Sequence, residues 1–370
     1  MNNSNKIFVA AITLLALLFT LFSFAAFSKF EISLSARSAA LYEPSGGEFL
    51  YELNADKPLP MASTTKIMTA LVALRECKDL NATTTIDSRA VGIEGSSAYL
   101  KCGESFTLFD LLHIMMLQSA NDAAVQIAIT VSGSVEDFAR LMNETARDMG
   151  LVSTSFTNPS GLDHAEHYTT ARELALITAE AMKYSTFRQI VSKKSYTATE
   201  LVSDKKRTYI NHNKLLSSYD GCIGVKTGYT KKSGRSLVSA AERDGVTLIA
   251  VTINAPDDWS DHKRILDYGF DKVEYLNFIS STLPITQIPV VNSPVTSISV
   301  RTKEDFGRVM HRNESYEIIY DLPNYLIAPI FKGQKIGTVS VVCRGITVGK
   351  IDVVADADAQ KSKTFFKKFK

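Results

Sequence analysis

The chain has 370 residues, which is enough for two domains because single hydrophobic cores seldom grow beyond about 300 residues. Its composition, 45% hydrophobic and 22% charged, is typical of a folded globular protein. The net charge of +2, with no basic stripe interleaved with aromatic residues in the body of the chain, gives no electrostatic reason to expect a nucleic-acid partner.

The N-terminal segment, residues 1–28, is predicted to be a signal peptide or an N-terminal membrane segment. Lys6 precedes an uninterrupted apolar run over residues 7–27. Such a run is typical of a secretory signal, and it also reaches the length of about 20 residues that spans a bilayer as a helix. Small residues at Ser23 and Ala25 offer a cleavage site, which favours cleavage over retention. In both cases the rest of the chain is expected to lie outside the cytoplasm.

A region of mixed helix and strand patterns is predicted over residues 38–278. It opens with a hairpin pattern over residues 40–51, in which two apolar runs flank a Pro-Ser-Gly-Gly turn. A helix is predicted to follow Ser63, because apolar residues recur at helical spacing from Ile67 to Leu74.

The first motif, Ser63-Thr64-Thr65-Lys66, stands at the start of that helix. Residues three apart share one face of a helix, so the side chains of Ser63 and Lys66 are expected to be adjacent. A serine hydroxyl needs a base to become a good nucleophile, and a desolvated lysine beside another cation can have a pKa low enough to be that base. The pair therefore predicts a catalytic nucleophile and its base, whereas a lone lysine here would be an ordinary surface residue.

The second motif, Ser119-Ala120-Asn121, lies at a break between two helical patterns. A helix with a Thr-x-x-Asp cap at Thr107 is predicted to end near Ser119, and a helical pattern resumes directly afterwards. The motif is expected to form a loop that faces the cleft of Ser63, where Ser119 relays a proton and Asn121 holds an amide oxygen of the substrate. Alone, such a triplet is merely a helix stop and restart.

The third motif, Lys226-Thr227-Gly228, follows a helix predicted over residues 134–150 and lies among strand patterns. Residues 236–239 and 246–251 are predicted strands that flank an Asp-Gly hairpin turn at Asp244. Lys226 is predicted to be the cation that lowers the pKa of the first motif's lysine. Because Gly228 lets another backbone approach, an extended peptide can pair with this edge, with its carboxylate at Lys226 and Thr227.

Beyond residue 280 the helical periods vanish, and a small all-β domain is predicted over residues 283–357, with the form of a β-sandwich. Short β-branched runs, separated by Pro, Asn and Gly, predict strands at residues 285–291, 297–300, 316–320, 336–342 and 346–354.

Residues 358–370 form a basic amphipathic tail, with five lysines and three phenylalanines in the last ten residues. This tail is predicted either to lie on an anionic membrane surface or to be solvated.

Four cysteines, Cys77, Cys102, Cys222 and Cys343, are widely spaced and contain no Cys-x-x-Cys pair. Buried free thiols are favoured, although a disulfide is allowed outside the membrane. No metal site and no cofactor are expected.

The three motifs, in this order, resemble those of serine β-lactamases and penicillin-binding proteins. Over residues 38–356 the chain resembles a low-molecular-mass penicillin-binding protein, a serine-type D-alanyl-D-alanine carboxypeptidase of peptidase family S11. The supporting stretches are MASTTKIMTALVAL, MLQSANDAAVQIA, TNPSGLDHAEHYTTARELA, GVKTGYTKKSGRSLVSAA, DHKRILDYGF and FKGQKIGTV.

This resemblance implies an α+β fold, with a β-lactamase/transpeptidase-like catalytic domain followed by a small all-β domain. It also implies removal of the terminal D-alanine from peptidoglycan stem pentapeptides through an acyl-enzyme on Ser63, with β-lactam antibiotics as covalent inhibitors. The backbone N–H groups of Ser63 and Tyr229 would form the oxyanion hole. The protein would act at the outer face of the cytoplasmic membrane or at the cell wall.

The chain departs from the family at one position. Some members carry a basic residue where this chain has Asp258, so recognition of the substrate carboxylate rests on Lys226 and Thr227. Arg235 is a candidate helper, although a structural arginine is favoured there.

Three alternatives are weighed against this interpretation. A class A β-lactamase would need a Glu-x-x-Leu-Asn motif, but the stretch at Glu173 lacks the asparagine. A catalytically silent cell-wall binding protein would not need every motif residue. A metal hydrolase built on His164 and His167 lacks a third ligand nearby, and such a pair is usually a polar turn.

Overall fold

The computed structural model describes residues 32–362. The predicted signal or membrane segment, residues 1–28, and residues 363–370 of the tail lie outside the described residues. Within the described range, no helix is both long enough and apolar enough to cross a bilayer.

All helices of the described chain lie between residues 66 and 272, before the C-terminal strands begin. They are α1 (Lys66–Glu76), α2 (Leu108–Gln118), α3 (Asn121–Ser132), α4 (Val135–Asp148), α5 (Ala171–Met182), α6 (Ser185–Val191), α7 (Leu215–Ser218) and α8 (Asp258–Lys272). Short 3₁₀ turns cover Ala62–Thr65 and Ser88–Ala90.

The strands occur throughout the described residues. They are β1 (Ser38–Glu43), β2 (Glu48–Leu53), β3 (Thr83–Thr85), β4 (Ser105–Thr107), β5 (Ser195–Thr199), β6 (Lys206–Ile210), β7 (Cys222–Thr230), β8 (Gly234–Arg243), β9 (Val246–Ile253), β10 (Val273–Ile279), β11 (Thr286–Val291), β12 (Ser297–Thr302), β13 (Phe306–His311), β14 (Tyr316–Asp321), β15 (Leu326–Ile327), β16 (Lys335–Cys343) and β17 (Ile346–Ala355).

A five-stranded antiparallel sheet in the order β2-β1-β9-β8-β7 forms the centre of the first region. Helices cover it on both faces. Ala40 and Tyr42 of β1 join the main helical core, whereas Leu41, between them, points to the side where Gly269 of α8 lies. A β-carbon on Gly269 would come within 2.6 Å of the Leu41 side chain, so glycine is what lets the helix pack this closely.

Local sequence signals predict several of these elements correctly. Thr107 and Asp110 form a reciprocal capping box at the start of α2, and Ser134 caps α4. Asp244 and Gly245 both have positive φ, 48° and 79°, as the type I′ turn between β8 and β9 requires. The hairpin β1–β2 also forms where it is predicted.

The C-terminal strands form a six-stranded sheet in the order β14-β16-β17-β12-β11-β15, with an apolar core of its own. All five strands predicted here are confirmed, while β13 and β15 were not predicted. Another unpredicted strand, β10, pairs with β13 rather than with the central sheet. This strand, which includes the predicted boundary near residue 278, therefore hydrogen bonds to the C-terminal part of the chain.

All four cysteines lie in the described part of the chain and are free thiols, as expected. The expectation that they are buried is wrong for most of them. Cys343 is buried, Cys77 and Cys222 are partly exposed, and Cys102 is exposed.

Candidate active site

The Ser63 nucleophile candidate lies in the 3₁₀ turn Ala62–Thr65, which runs directly into α1. Residues three apart eclipse one another in a 3₁₀ turn, so the side chains of Ser63 and Lys66 meet. Lys66 Nζ is 3.1 Å from Ser63 Oγ. Lys66 is fully buried, with 0% of its surface exposed, whereas Ser63 is partly exposed.

Two further oxygens surround the Lys66 amine. It donates to Asn121 Oδ1 at 2.7 Å and to the carbonyl oxygen of Ser160 at 2.5 Å. Burial, together with the nearby charge of Lys226, lowers the pKa of Lys66 well below its usual range, and Asp122 opposes this shift. The Lys66 amine therefore holds its proton more weakly than an exposed lysine does, which suits a group that accepts a proton from a serine hydroxyl.

The second motif is a two-residue break between α2 and α3. Ser119 ends α2 in the left-handed conformation, with φ 61°, and Asn121 is the first residue of α3. The Asn121 side chain also donates to the carbonyl oxygen of Glu94 at 2.6 Å, so its amide is held at both ends. The predicted loop is thus shorter than expected, but it brings Asn121 to Lys66.

The third motif lies on β7, at the edge of the central sheet. Lys226 is 2% exposed, and its Nζ donates to the carbonyl oxygen of Thr227 at 3.0 Å. Burial lowers the pKa of Lys226 to about 7. Gly228 faces the nucleophile turn, because a β-carbon there would lie 3.2 Å from the backbone nitrogen of Ser63. The lack of a side chain keeps the space in front of that nitrogen open.

A cleft of about 310 Å³ contains residues from all three motifs. Ser63, Ser119, Thr227, Gly228 and Tyr229 line it, while Lys66, Asn121 and Lys226 are buried behind this surface. The cleft is also lined by residues that the sequence interpretation did not assign to the site: Ser96, His212, Lys214, Asp258 and Trp259.

Arg235 also lines the cleft, opposite Tyr229 in the register of β7 and β8. Its Nε donates to Asp258 Oδ1 at 3.1 Å, and Asp258 is 4% exposed while the Arg235 side chain is 46% exposed. The acidic residue that departs from the family pattern therefore anchors an arginine beside the third motif.

Ser160, Asp122 and Asn158 support the site and were missed from the sequence. Ser160 contributes only its backbone carbonyl to Lys66, and a backbone group has no side-chain signature. Asp122 accepts hydrogen bonds from Ser97 Oγ at 2.7 Å and from the backbone of Ala98 at 3.1 Å, which shapes one wall of the cleft. Asn158 Oδ1 accepts from the backbone of residues 160–162, a turn that its Asn-Pro-Ser-Gly sequence could have indicated.

The contacts of His167 do not support the alternative of a metal hydrolase built on His164 and His167. Both ring nitrogens of His167 are bonded inside the fold, to Thr65 Oγ1 at 2.8 Å and to the backbone of Thr157 at 3.1 Å. Among the described residues, no group of three or more His, Cys, Asp or Glu side chains is arranged to hold a metal ion.

Comparisons with known proteins place this geometry in a family. A family model described as D-alanyl-D-alanine carboxypeptidase matches residues 25–257, and a model of the C-terminal domain of penicillin-binding protein 5 matches residues 276–361. The D-alanyl-D-alanine carboxypeptidase DacF of Bacillus subtilis is 30% identical over 343 residues, which cover 90% of this chain and 88% of that protein. A D-alanyl-D-alanine carboxypeptidase of Streptomyces sp. strain K15 is 39% identical over 242 residues, which cover 60% of this chain and 83% of that protein.

Solved structures agree with these matches. The structure of penicillin binding protein 5 from Haemophilus influenzae matches with a TM-score of 0.65 at 28% identity, over 90% of this chain and 99% of that one. The predicted fold class, an α+β catalytic domain of the transpeptidase type followed by an all-β domain, is confirmed. Since the carboxypeptidase model alone spans more than half of the sequence, the chain belongs to the D-alanyl-D-alanine carboxypeptidase family, peptidase family S11.

Proposed function

We propose that this protein is a serine D-alanyl-D-alanine carboxypeptidase, which removes the terminal D-alanine from peptidoglycan stem pentapeptides. The observation that carries the proposal is the Lys66 amine, which is buried directly behind the cleft of the three motifs and lies 3.1 Å from Ser63 Oγ. Family membership supports the same activity.

The three oxygens around Lys66 fit a charged amine, which would donate to all of them, and they also fit the neutral amine that its lowered pKa favours. A neutral amine has two N–H bonds and one lone pair, and Lys66 has two fixed acceptors, Asn121 Oδ1 and the Ser160 carbonyl. Both N–H bonds are thereby used, and the lone pair is left for the Ser63 hydroxyl. Lys66 is then the general base, and Asn121 orients it while its remaining N–H meets an amide oxygen of the substrate.

In the first step, the Ser63 hydroxyl proton passes to Lys66 Nζ while Oγ bonds to the carbonyl carbon of the penultimate D-alanine. The backbone N–H groups of Ser63 and Tyr229 stabilise the resulting oxyanion. The peptide C–N bond then breaks, and the departing D-alanine nitrogen takes the proton through Ser119. Finally a water molecule gives a proton to Lys66 while its oxygen bonds to the acyl carbon. The C–Oγ ester bond then breaks, Ser63 Oγ takes that proton back, and the shortened peptide leaves with a new carboxylate.

Recognition of the substrate is assigned to β7 and its neighbour β8. An extended peptide pairs with the free edge of β7, where Gly228 leaves room for its backbone. Its terminal carboxylate meets Lys226 and Thr227, and Arg235 adds a third partner because Asp258 occupies only its Nε.

Arg235→Ala tests this assignment. We expect kcat/KM for a pentapeptide to fall roughly 10- to 100-fold, which corresponds to the loss of one hydrogen bond between charged groups. For the same peptide with a C-terminal amide, kcat/KM should be unchanged. Arg235→Lys, which keeps the charge, should lose less. If the pentapeptide rate is unchanged in Arg235→Ala, the arginine has no part in carboxylate recognition.

A class A β-lactamase function is not supported by Glu173. Its carboxylate is buried and accepts hydrogen bonds from the backbone of Val152 and Ser153, at 2.9 Å each, and from Thr154 Oγ1 at 2.5 Å. These hydrogen bonds hold the Glu173 carboxylate at the turn of residues 152–154, and it does not line the cleft beside Ser63.

Mass spectrometry of the signal-free protein tests the serine mechanism. We expect one penicillin-derived acyl group on the peptide that contains Ser63, no label in Ser63→Ala, and release of D-alanine from a pentapeptide by the unmodified enzyme. Labelling that persists in Ser63→Ala would refute Ser63 as nucleophile. A protein that binds the pentapeptide but neither acylates nor cleaves would instead be the silent binding protein.

We further propose that the protein acts outside the cytoplasm, at the outer face of the cytoplasmic membrane or at the cell wall. The apolar run of residues 7–27 and the basic, aromatic tail support this location.

A further inference from the structure

His167 lies behind the nucleophile turn and does not reach the cleft. It is 3% exposed, and Thr65, to which it is bonded, is 1% exposed. The ring of Phe156 packs edge-on against it, with 5.7 Å between ring centroids. Neither His167 nor Thr65 lines the cleft, and their hydrogen bonds reach the active site through the backbone of the nucleophile turn.

The hydrogen bonds around His167 have a fixed direction. The backbone N–H of Thr157 can only donate, so Nδ1 of His167, 3.1 Å away, must accept. In the neutral ring the proton is then on Nε2, which donates to Thr65 Oγ1 at 2.8 Å. The Thr65 hydroxyl in turn donates to the carbonyl oxygen of Ala62 at 2.8 Å.

His167 remains neutral in this position. Burial, together with the neighbouring charges of His164 and Lys66, lowers its pKa to about 4. The direction of the chain of hydrogen bonds is therefore preserved at neutral pH.

This series of hydrogen bonds ends on a peptide group that belongs to the active site. The carbonyl of Ala62 and the N–H of Ser63 are parts of one planar, trans peptide unit and point in opposite directions. A hydrogen bond that holds this carbonyl therefore also sets the direction of the Ser63 N–H. It also polarises the amide, which makes that N–H a stronger donor.

This peptide unit needs external support. Ala62 has φ 49°, in the left-handed region that a residue with a side chain disfavours. On the other side, a β-carbon on Gly161 would lie 1.9 Å from the Ala62 oxygen, so backbone packs directly against this carbonyl. The Ala62 carbonyl is thus held by steric contact with Gly161 and by the Thr65 hydroxyl, in addition to the hydrogen bonds of the 3₁₀ turn itself.

We propose that His167 and Thr65 are positioning residues that aim the Ser63 N–H at the oxyanion of the reaction. The inference rests on the proposed function, because it needs an oxyanion on the acyl carbon. Loss of the Thr65 hydroxyl should slow acylation without weakening the initial binding of the acylating agent. The reason is that the oxyanion hole stabilises the transition state and not the bound ground state.

Stopped-flow acylation by a chromogenic β-lactam separates binding from the acylation step, and three variants test the inference. Thr65→Val removes the hydroxyl and keeps the shape, whereas Thr65→Ser keeps the hydroxyl. Thr64→Val is the matched control, because Thr64 Oγ1 donates to the Met61 carbonyl at 2.6 Å, a peptide unit that carries no oxyanion donor.

We expect the acylation rate constant to fall roughly 10- to 100-fold in Thr65→Val, less than the 10²- to 10³-fold for complete loss of a donor. Thr65→Ser should restore it, and Thr64→Val should stay close to the wild-type rate with a similar Tm. A wild-type rate constant in Thr65→Val, or an equal loss in Thr64→Val, would overturn the proposal. Failure of the proposed function is a separate outcome, in which the wild-type protein itself is not acylated.

Nitrogen-15 NMR of the unmodified protein gives a readout that does not depend on enzyme activity. With the His167 signals assigned by their absence in His167→Gln, we expect a protonated Nε2 and an unprotonated Nδ1 at neutral pH. A proton on Nδ1, or a charged ring, would reverse or break the chain of hydrogen bonds and would overturn the proposal.

Discussion

At the scale of single residues, the site depends on two amines buried in one cleft. Burial lowers the pKa of both Lys66 and Lys226, and the charge of Lys226 lowers the pKa of Lys66 further. Lys226 donates to the Thr227 carbonyl, whereas Lys66 lies beside the Ser63 hydroxyl from which it would take a proton. A charged Lys226 therefore favours the neutral, reactive form of Lys66.

This argument predicts a pH shift in Lys226→Ala. Removal of the neighbouring positive charge raises the pKa of Lys66, so the neutral fraction is reached only at higher pH and the acidic limb of the acylation rate moves upward. Burial still holds the pKa below its usual range, so the shift is partial. The measurement is the acylation rate constant against pH at saturating β-lactam.

Lys214→Ala is the matched control for that shift. Lys214 is an exposed lysine that lines the same cleft, so its removal should leave the acidic limb in place. An unshifted limb in Lys226→Ala would show that burial alone sets the pKa of Lys66.

At the scale of elements, the nucleophile turn and the loop around Ser160 form one packed unit. The loop supplies the carbonyl that orients Lys66, and Thr69 Oγ1 of α1 donates to the Pro159 carbonyl at 2.6 Å. Gly161 has φ 88° and lies against Ala62, so both its conformation and its lack of a side chain are needed.

Gly161→Ala is therefore expected to disrupt the site. Gly103→Ala is a matched control, because Gly103 has φ 86° but no atom within 4 Å of an added β-carbon. The control should lose about 1–2 kcal/mol of unfolding free energy, the cost of a left-handed alanine. Gly161→Ala should lose about 1–3 kcal/mol more through the clash, and acylation as well.

Urea unfolding and penicillin labelling measure these two effects. Equal destabilisation of the two variants, with labelling retained in both, would contradict the close approach of Gly161 to the nucleophile turn.

At the scale of the whole molecule, β10, which follows α8 directly, pairs with β13, and Ile279 and Met310 of this pair belong to the core of the C-terminal sheet. His311 Nε2 also lies 2.8 Å from Glu48 Oε1 on the β1–β2 hairpin. The backbone of Ser362 donates to the Asn292 carbonyl at 2.7 Å, so residue 362 lies beside the end of β11. A tail that binds a membrane would hold this end of the C-terminal sheet at the surface.

The location proposal leads to a fractionation experiment. We expect a mature form without residues 1–28, held at the outer face of the cytoplasmic membrane by its tail. Each lysine contributes about 1 kcal/mol near an anionic surface, and the phenylalanines add partial burial, so attachment should be weak and sensitive to salt. High salt, or deletion of residues 361–370, should release most of the protein.

A full-length chain that only detergent extracts would contradict this expectation. In that case the apolar run over residues 7–27 would be the anchor, and the tail would be incidental.

Short-range signals were enough to predict much of the fold and the motif residues of the candidate site. The capping box at Thr107, the Asp-Gly turn at Asp244 and the spacing of Ser63 and Lys66 each act within a few residues, so their physics is readable from local sequence. The β-branched runs of the C-terminal domain are likewise local, and their strands form as predicted.

Tertiary structure decided the remaining features, because they depend on groups far apart in the chain or on the backbone itself. The carbonyls of Ser160 and Glu94 orient Lys66 and Asn121, and any residue type carries a carbonyl. Asp258 is a departure from the family when read alone, but across 23 residues it anchors Arg235. The pKa of Lys66 is lowered because the packed fold removes water from its amine and brings Lys226 near. Neither cause is contained in a local sequence pattern.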